Sequence, residues 1–376
     1  MRGFRGALER AWYAGGGLRA WTLVLAPLAL GYGAASSLKR RRASRSRKQV
    51  AGAHVIAVGN LTVGGTGKSS VARWLAAEAA AAGARAAILL RGHGARRRSG
   101  GSGVVPDFAS YPLRRAVVRY GDEAIAHRLA LPCGAAVAAD PDRWRAARAL
   151  VQGYGAGVLV LDDGWEQGGV RWDELWVVVD PRRPAGNGAL LPAGPLRRPV
   201  HTLAEARRVV CLLEEPGETV PEATRAWVAR HARGLPILRF RRVLRCVSPP
   251  GAAGAGAPIR RGVPAALVSG VGSPARLERF ASAVGLDCRY HAAFPDHARW
   301  AAAALRSEVE RARRAGAREL YITEKDEARW PEGFATPIPV LVLRTRIEPL
   351  DSMEEALEPL RVAVARAAVA RAGGIG

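Results

Sequence analysis

His54-Val55-Ile56-Ala57-Val58-Gly59-Asn60-Leu61-Thr62-Val63-Gly64-Gly65-Thr66-Gly67-Lys68-Ser69-Ser70 is the stretch whose reading decides the fold. Its first five residues form a short apolar run that stops at Gly59, the pattern of a buried strand. From Ser70 to Ala82 helix formers dominate, and Gly83 ends them. Between strand and helix, glycines at 64, 65 and 67 let the backbone curl so that successive N–H groups face one phosphate, with the positive end of the helix behind them. The predicted nucleotide-binding residues are Thr62, Val63, Gly64, Gly65, Thr66, Gly67, Lys68, Ser69 and Ser70. Lys68 is expected to reach the β- and γ-phosphates of ATP, and the Ser69 hydroxyl to ligate Mg²⁺. The strict phosphate-loop pattern has glycine where this chain has Thr62, so the match falls one position short. The alternative is a glycine-rich turn without a ligand.

Outward from this stretch, apolar strands alternate with helices. Ala86–Leu90, Val137–Ala139, Val158–Leu161 and Leu175–Val179 read as buried strands, and Ala124–Leu131 and Asp142–Gln152 as helices. That alternation predicts an α/β fold with a parallel, doubly wound sheet of the P-loop NTPase type. Ala206–Leu213 contains a further strand, and Ile237–Val247, rich in arginine, reads as an exposed or linking strand. A Gly/Ala/Pro stretch follows, and a second, smaller α/β unit begins at Ala265–Ser269. It continues through a helix at Pro274–Val284, a long helix near Trp300–Ala315, and strands at Leu320–Thr323 and Val340–Leu343. The expected divisions are 1–48, an N-terminal segment with a basic flank; 49–235, the P-loop domain; 236–262, a linker; and 263–376, the C-terminal α/β unit.

The chain has 376 residues, 49% hydrophobic and 24% charged, an ordinary globular mix. Its 57 Lys+Arg against 33 Asp+Glu give a net charge of +24, which suits nucleic acid, an anionic membrane surface or a phosphorylated substrate. An arginine-rich composition throughout the chain accounts for Arg over Lys but not for the shortage of acids. Cys133, Cys211, Cys246 and Cys288 lack metal-knuckle spacing and read as small buried hydrophobes. Near the N-terminus, Trp21–Leu38 is mostly apolar and Lys39-Arg40-Arg41-Arg42 follows. A cleaved signal would carry the loop away from its ATP, and Pro27, Gly31 and Gly33 weaken a spanning helix. The segment is therefore expected to lie in the membrane interface, its basic flank held by anionic headgroups at about 1 kcal/mol per Lys or Arg. The competing reading is a first helix that packs on the domain.

Asp162-Asp163 follows four apolar residues, where a parallel sheet presents ligands to its crevice, and one of the two is expected to hold Mg²⁺. An acidic helix cap is the alternative. A kinase acting on a hydroxyl also needs a group that accepts or orients its proton. Asp122, just after Gly121, and His297, in Phe294-Pro295-Asp296-His297, are available, though spacing alone does not select them.

Taken in order, Val58-Gly59-Asn60 with Gly64–Lys68, Arg91-Gly92-His93-Gly94, Gly121-Asp122-Glu123, Pro141-Asp142-Arg143, Leu161-Asp162-Asp163-Gly164, Gly186-Asn187-Gly188 with Leu191–Leu196, Phe294–His297 and Thr323-Glu324-Lys325-Asp326 resemble the tetraacyldisaccharide 4′-kinase family of lipid A synthesis. The resemblance implies transfer of the ATP γ-phosphate to the 4′-hydroxyl of a lipid-linked disaccharide 1-phosphate, in a site between two α/β domains. It also implies a monomer, without nucleic acid, peripheral or monotopic on the cytoplasmic face of the bacterial inner membrane. It makes Asp122 and His297 the expected catalytic pair beside Lys68, with Asp122 accepting the hydroxyl proton and His297 orienting or tuning it. Arg91 and Asn187 become expected substrate contacts. The chain departs from the pattern at Trp165-Glu166-Gln167, where the family usually has Leu-Gln-His, and at Trp172, Ser69, His93 and Arg198. Glu166 puts a charge near the expected Mg²⁺ and is a candidate further ligand beside Ser69, Asp162 and Asp163. The main rival is a partitioning or regulatory ATPase that binds DNA or membrane, but such proteins carry a second lysine where this chain has Val63.

Overall fold

In the computed structural model, which describes residues 12–13, 20–92, 103–105, 113–131, 135–166, 168–232, 234–252, 256–295, 300–331 and 333–372, the chain builds one 11-stranded sheet. The first half runs α1 (Ala20–Arg45), β1 (His54–Gly59), α2 (Lys68–Ala81), β2 (Ala86–Leu90), α3 (Leu113–Tyr120), α4 (Asp122–Ala130), β3 (Ala135–Ala139), α5 (Arg143–Tyr154), β4 (Val158–Asp162), β5 (Glu174–Val179), β6 (Arg208–Leu213) and α6 (Glu222–His231). The second runs β7 (Ile237–Ser248), β8 (Pro264–Ser269), α7 (Pro274–Ala283), β9 (Asp287–Ala293), α8 (Ala302–Arg314), β10 (Glu319–Thr323), α9 (Glu324–Glu327), β11 (Val340–Pro349) and α10 (Glu354–Ala372). The strand order is β3-β2-β4-β1-β5-β6-β7-β11-β10-β8-β9. Every pairing is parallel except β7 with β11.

The continuous apolar runs follow from burial on both faces. In β1, Ile56 and Val58 pack with Val71 and Leu75 of α2, while Val55 and Ala57 pack with Ala146, Ala147 and Leu150 of α5. α5 starts on Asp142, whose side chain accepts from Arg145 N at 3.1 Å, and stops at Gly155, which is left-handed at φ 70°.

The segment expected to link two units, 236–262, contributes β7 to the middle of the sheet, parallel to β6 and antiparallel to β11. Its arginines are tolerated because acids meet them: Arg239 donates to Asp351, and Arg242 Nε to Glu214 Oε2 at 2.9 Å. Phe240 of β7 also packs edge-on against Trp74 of α2, with ring centroids 4.8 Å apart. The main core thus runs across both halves. Cys211 is buried, but Cys288 is exposed, because β9 is an edge strand; Cys133 lies outside the described residues.

α1 is partly packed. Tyr32 Oη and Ser36 Oγ donate to the Arg197 carbonyl at 3.3 and 3.4 Å, and Ala29 is buried. Along the same helix Leu23, Val24, Leu28, Leu30 and Leu38 are exposed. The helix therefore packs on the domain and still exposes large apolar side chains. Among the described residues no helix is long and apolar enough to cross a membrane.

Candidate active site

The predicted phosphate loop floors a cleft of about 1040 Å³ between the two halves. Gly64 and Gly67 have φ of 112° and 96°. Gly67 caps α2 in the left-handed region without a side-chain cap bond; Ser70 N turns back to Gly67 O at 3.0 Å, and the Lys68 and Ser69 N–H groups face the position of an anion. Thr62 needs no glycine: it bridges to Leu196 as extended chain, and Val63 N donates to Pro195 O at 2.8 Å. A Cβ on Gly67 would lie 2.6 Å from Leu212 Cδ2 and would also force a strained φ. Gly67→Ala is expected to weaken ATP binding by at least about tenfold, from a left-handed penalty of about 1–2 kcal/mol plus the clash; isothermal titration checks it.

Lys68 is presented by a network the sequence did not reveal. Its Nζ donates to Asn60 Oδ1 at 2.9 Å and lies 3.6 Å from Asp163 Oδ1. Arg197 grips Asp163 with two bonds, at 2.9 and 3.2 Å, and also meets Asn60 Oδ1. Asp163 itself is the only non-glycine residue with positive φ, 51°, among the described residues. Burial pushes the Lys68 ammonium below the usual lysine value against the pull of Asp163. Burial works the other way on Asp163, but Lys68 and Arg197 overcome it and hold the carboxyl well below the usual range.

Asp162 ends β4 beside the loop. Ser69 Oγ donates to Asp162 Oδ2 at 2.7 Å, and buried His127 Nε2 lies 2.8 Å from the same oxygen. Burial alone would raise the Asp162 pKa; the bonds from His127 and Ser69 bring it below the usual value. Arg143 Nη2 donates to the Asp162 carbonyl at 3.0 Å, while its Nε and Nη1 are buried without a hydrogen-bond partner among the described residues. Burial lowers this guanidinium to about 10. Such buried donors cost about 1–3 kcal/mol each unless an anion meets them, and Arg143 lines the cleft. Among the described residues no cluster of His, Cys, Asp and Glu forms a metal cage. A Mg²⁺ site needs less: one or two protein oxygens beside the phosphates. Ser69 Oγ and Asp162 fit that donor set, because Asp162 Oδ1 is buried without a partner among the described residues.

Asp122 opens α4. Its Oδ2 accepts from Arg329 Nε at 2.7 Å and its Oδ1 from Glu123 N at 3.0 Å. Arg329 comes from the second half, just past α9, as do Lys325, which lies 3.7 Å from Glu123, and Glu324, which accepts from Arg73 at 2.9 Å. The Gly121–Glu123 and Thr323–Asp326 motifs are therefore the two sides of one ionic seam. Asp326 is spent on architecture, capping α9 and accepting from Gly270 N at 2.9 Å. A second seam meets the phosphate loop: Arg276 of α7 donates to Gly65 O at 3.1 Å and Leu212 O at 2.8 Å, and shares Glu214 with Arg242.

The remaining predicted residues divide. Arg91 lines the cleft at the end of β2. Asn187 donates its amide to Ala193 O at 2.9 Å and to Thr22 Oγ1 of α1 at 3.4 Å, and accepts from Ala189 N at 3.2 Å. Glu166 is not among the cleft residues; its carboxylate lies 3.3 Å from Arg198 Nε. Arg198 is buried and stacks on Trp165, 4.0 Å from the ring centroid, while Arg47 stacks on Trp172 at 3.4 Å. The departures Trp165, Glu166, Trp172 and Arg198 thus occupy one patch where the end of α1 meets the Asp162-Asp163 loop. Glu166→Ala takes from buried Arg198 the stronger of its two acids, leaving Glu205, and is expected to lower stability by about 2 kcal/mol, discounted for partial exposure. Adding Arg198→Leu should restore part of it in urea denaturation. His297, Asp296 and residues 93–102 lie outside the described residues.

A phosphate loop on β1, a carboxylate on neighbouring β4 bonded to the loop serine, and a cleft at the strand ends define a P-loop nucleotide-binding α/β protein. The chain belongs to the tetraacyldisaccharide-1-P 4'-kinase family, which it matches over residues 21–361. It is 36% identical to a tetraacyldisaccharide 4'-kinase of Rhodospirillum centenum over 353 residues, 93% of this chain and 95% of that one. To another, of an Anaeromyxobacter species, it is 33% identical over 96% of this chain and 97% of the relative. Its fold is also that of LpxK from Aquifex aeolicus, solved in complex with ATP, with a TM-score of 0.66 at 22% identity, over 91% of this chain and 99% of the other.

Proposed function

We propose that the protein transfers the γ-phosphate of ATP to the 4′-hydroxyl of a tetraacyldisaccharide 1-phosphate in lipid A biosynthesis. Family membership over residues 21–361 supports the reaction, and one observation carries the site: the phosphate loop, Asp162 and Glu123 line one cleft between the halves, and Asp122 is the residue before Glu123 at the start of α4. The same membership sets aside the partitioning ATPase.

In this reading the loop N–H groups and Lys68 hold the β- and γ-phosphates, in line with the preorganised donors such transfers need. Ser69 and Asp162 would hold Mg²⁺, which neutralises charge on the phosphates. Asp163 keeps Lys68 and Arg197 in register rather than binding metal first, and Glu166 is spent on Arg198. Arg143 and Arg91 offer guanidinium groups to substrate phosphate or sugar. Asp122, held by Arg329 and by the Glu123 N–H, accepts the hydroxyl proton. His297 keeps the orienting role that the resemblance gives it.

The lipid reaches this cleft from a membrane. The exposed leucines of α1 and the basic run after Leu38 suit the cytoplasmic face of the inner membrane, with α1 in the interface. Replacing Leu23, Leu28 and Leu30 together by serine removes about 1.5–3 kcal/mol of burial each and is expected to weaken vesicle binding by well over tenfold, read by co-sedimentation. Moderate salt should release only part of the wild-type protein. Labelled ATP tests the reaction: label must enter the lipid phase when the disaccharide 1-phosphate is present, and ATP hydrolysis stimulated by DNA without lipid labelling would overturn it.

A further inference from the structure

We propose that His127 is a positioning residue for the metal-binding carboxylate: by holding Asp162 Oδ2 it leaves Oδ1, which has no partner among the described residues, for Mg²⁺. This rests on the reading that Ser69 and Asp162 hold that ion. His127 sits on α4, the helix whose first residue is Asp122. Its side chain is 2% exposed, and Nε2 is 2.8 Å from Asp162 Oδ2. Ser69 Oγ, at 2.7 Å, shares that oxygen. An ionised carboxylate only accepts, so both neighbours donate, and the imidazole carries its proton on Nε2. Its Nδ1 is buried with no partner among the described residues, so nothing else fixes the ring.

Packing does not explain a histidine here. The buried side chains beside it on α4 are Ala124 and Ile125, and a leucine would fill the same face without the cost of burying an imidazole. What the imidazole adds is a second bond to Oδ2. One bond from Ser69 lets the carboxylate swing about its terminal torsion, whereas two bonds from different elements, α2 and α4, fix its plane. Oδ1 is then the oxygen held ready, and it has no partner among the described residues. Partners of this outer kind typically change metal affinity by about 10–100-fold.

The test uses the full chain with ADP and Mn²⁺, read by electron paramagnetic resonance, beside ADP affinity in metal-free buffer. His127→Leu is expected to raise the Mn²⁺ Kd by about 10–100-fold while metal-free ADP affinity stays within twofold. His127→Gln, whose amide nitrogen reaches the position of Nε2, should recover most of the loss. His127→Asn, whose amide stops short, should not, and that contrast decides the matter should the leucine variant fail to fold. Equal Mn²⁺ affinity in His127→Leu and wild type overturns the proposal, as does a glutamine variant no better than asparagine. A wild-type ADP complex that takes up no Mn²⁺ removes the metal reading and this proposal with it, whereas lipid phosphorylation can fail without touching either.

Discussion

Lys68→Ala is expected to lower kcat/KM for lipid phosphorylation by about 10³-fold, equivalent to about 4 kcal/mol of lost transition-state stabilisation. The ammonium is held by Asn60 Oδ1 at 2.9 Å and lies 3.6 Å from Asp163. It is therefore preorganised where charge builds on the transferring phosphoryl group, and it needs no rearrangement at that moment. The fold should survive the change, because Asp163 keeps its two bonds from Arg197. Steady-state kinetics in mixed micelles, with thermal denaturation alongside, checks both parts. A loss below tenfold would mean that Lys68 neutralises its surroundings rather than the phosphates.

Asp122→Asn is expected to lower kcat by about 10²–10⁴-fold, the range of a lost general base, with ATP affinity unchanged. The amide preserves the shape of the helix start but cannot take a proton. Arg329 loses one charged partner in the same step and keeps Asp326, 3.9 Å away. Since it also donates to Gly270 O at 3.0 Å, the seam between the halves should loosen rather than part. A binding measurement separates the two effects: intact ATP affinity with lost turnover marks a proton acceptor, whereas parallel loss of both marks a strut.

How far the sequence carries depends on how local each signal is. β1, β2, β4 and β5 are legible because each is a contiguous apolar run buried on both faces, and the phosphate loop because its glycines, lysine and serine stand together in the chain. β7 defeats such reading. Arg242 looks like a solvent-facing residue until Glu214, distant in sequence from it, comes to meet it, whereas Arg239 stays largely exposed beside Asp351. β9 is missed for the opposite reason: as an edge strand it exposes Cys288 and Arg289, so it has no apolar run to recognise. The site divides the same way. Lys68, Ser69 and Asp162 stand in short motifs whose chemistry is fixed by neighbours in sequence. Asn60, Arg197, Arg143 and His127 acquire roles only by contact across the fold. Asn60 and Arg143 each stand inside a recognisable motif, which was the one available signal. Glu166 shows the converse hazard: a charge beside the metal motif invites assignment as a ligand, yet Arg198, another departure from the family pattern, is its partner.

The central claim is that the cleft between the halves joins the ATP γ-phosphate to a lipid hydroxyl. Its most direct measurement is phosphorus NMR of the lipid recovered after incubation with ATP, Mg²⁺ and the disaccharide 1-phosphate. The expected result is a second phosphomonoester resonance, assigned to the 4′ position, with the 1-phosphate retained and far less product from Lys68→Ala in the same time. Phosphate found at another hydroxyl, or ATP consumed with the lipid unchanged, would contradict it.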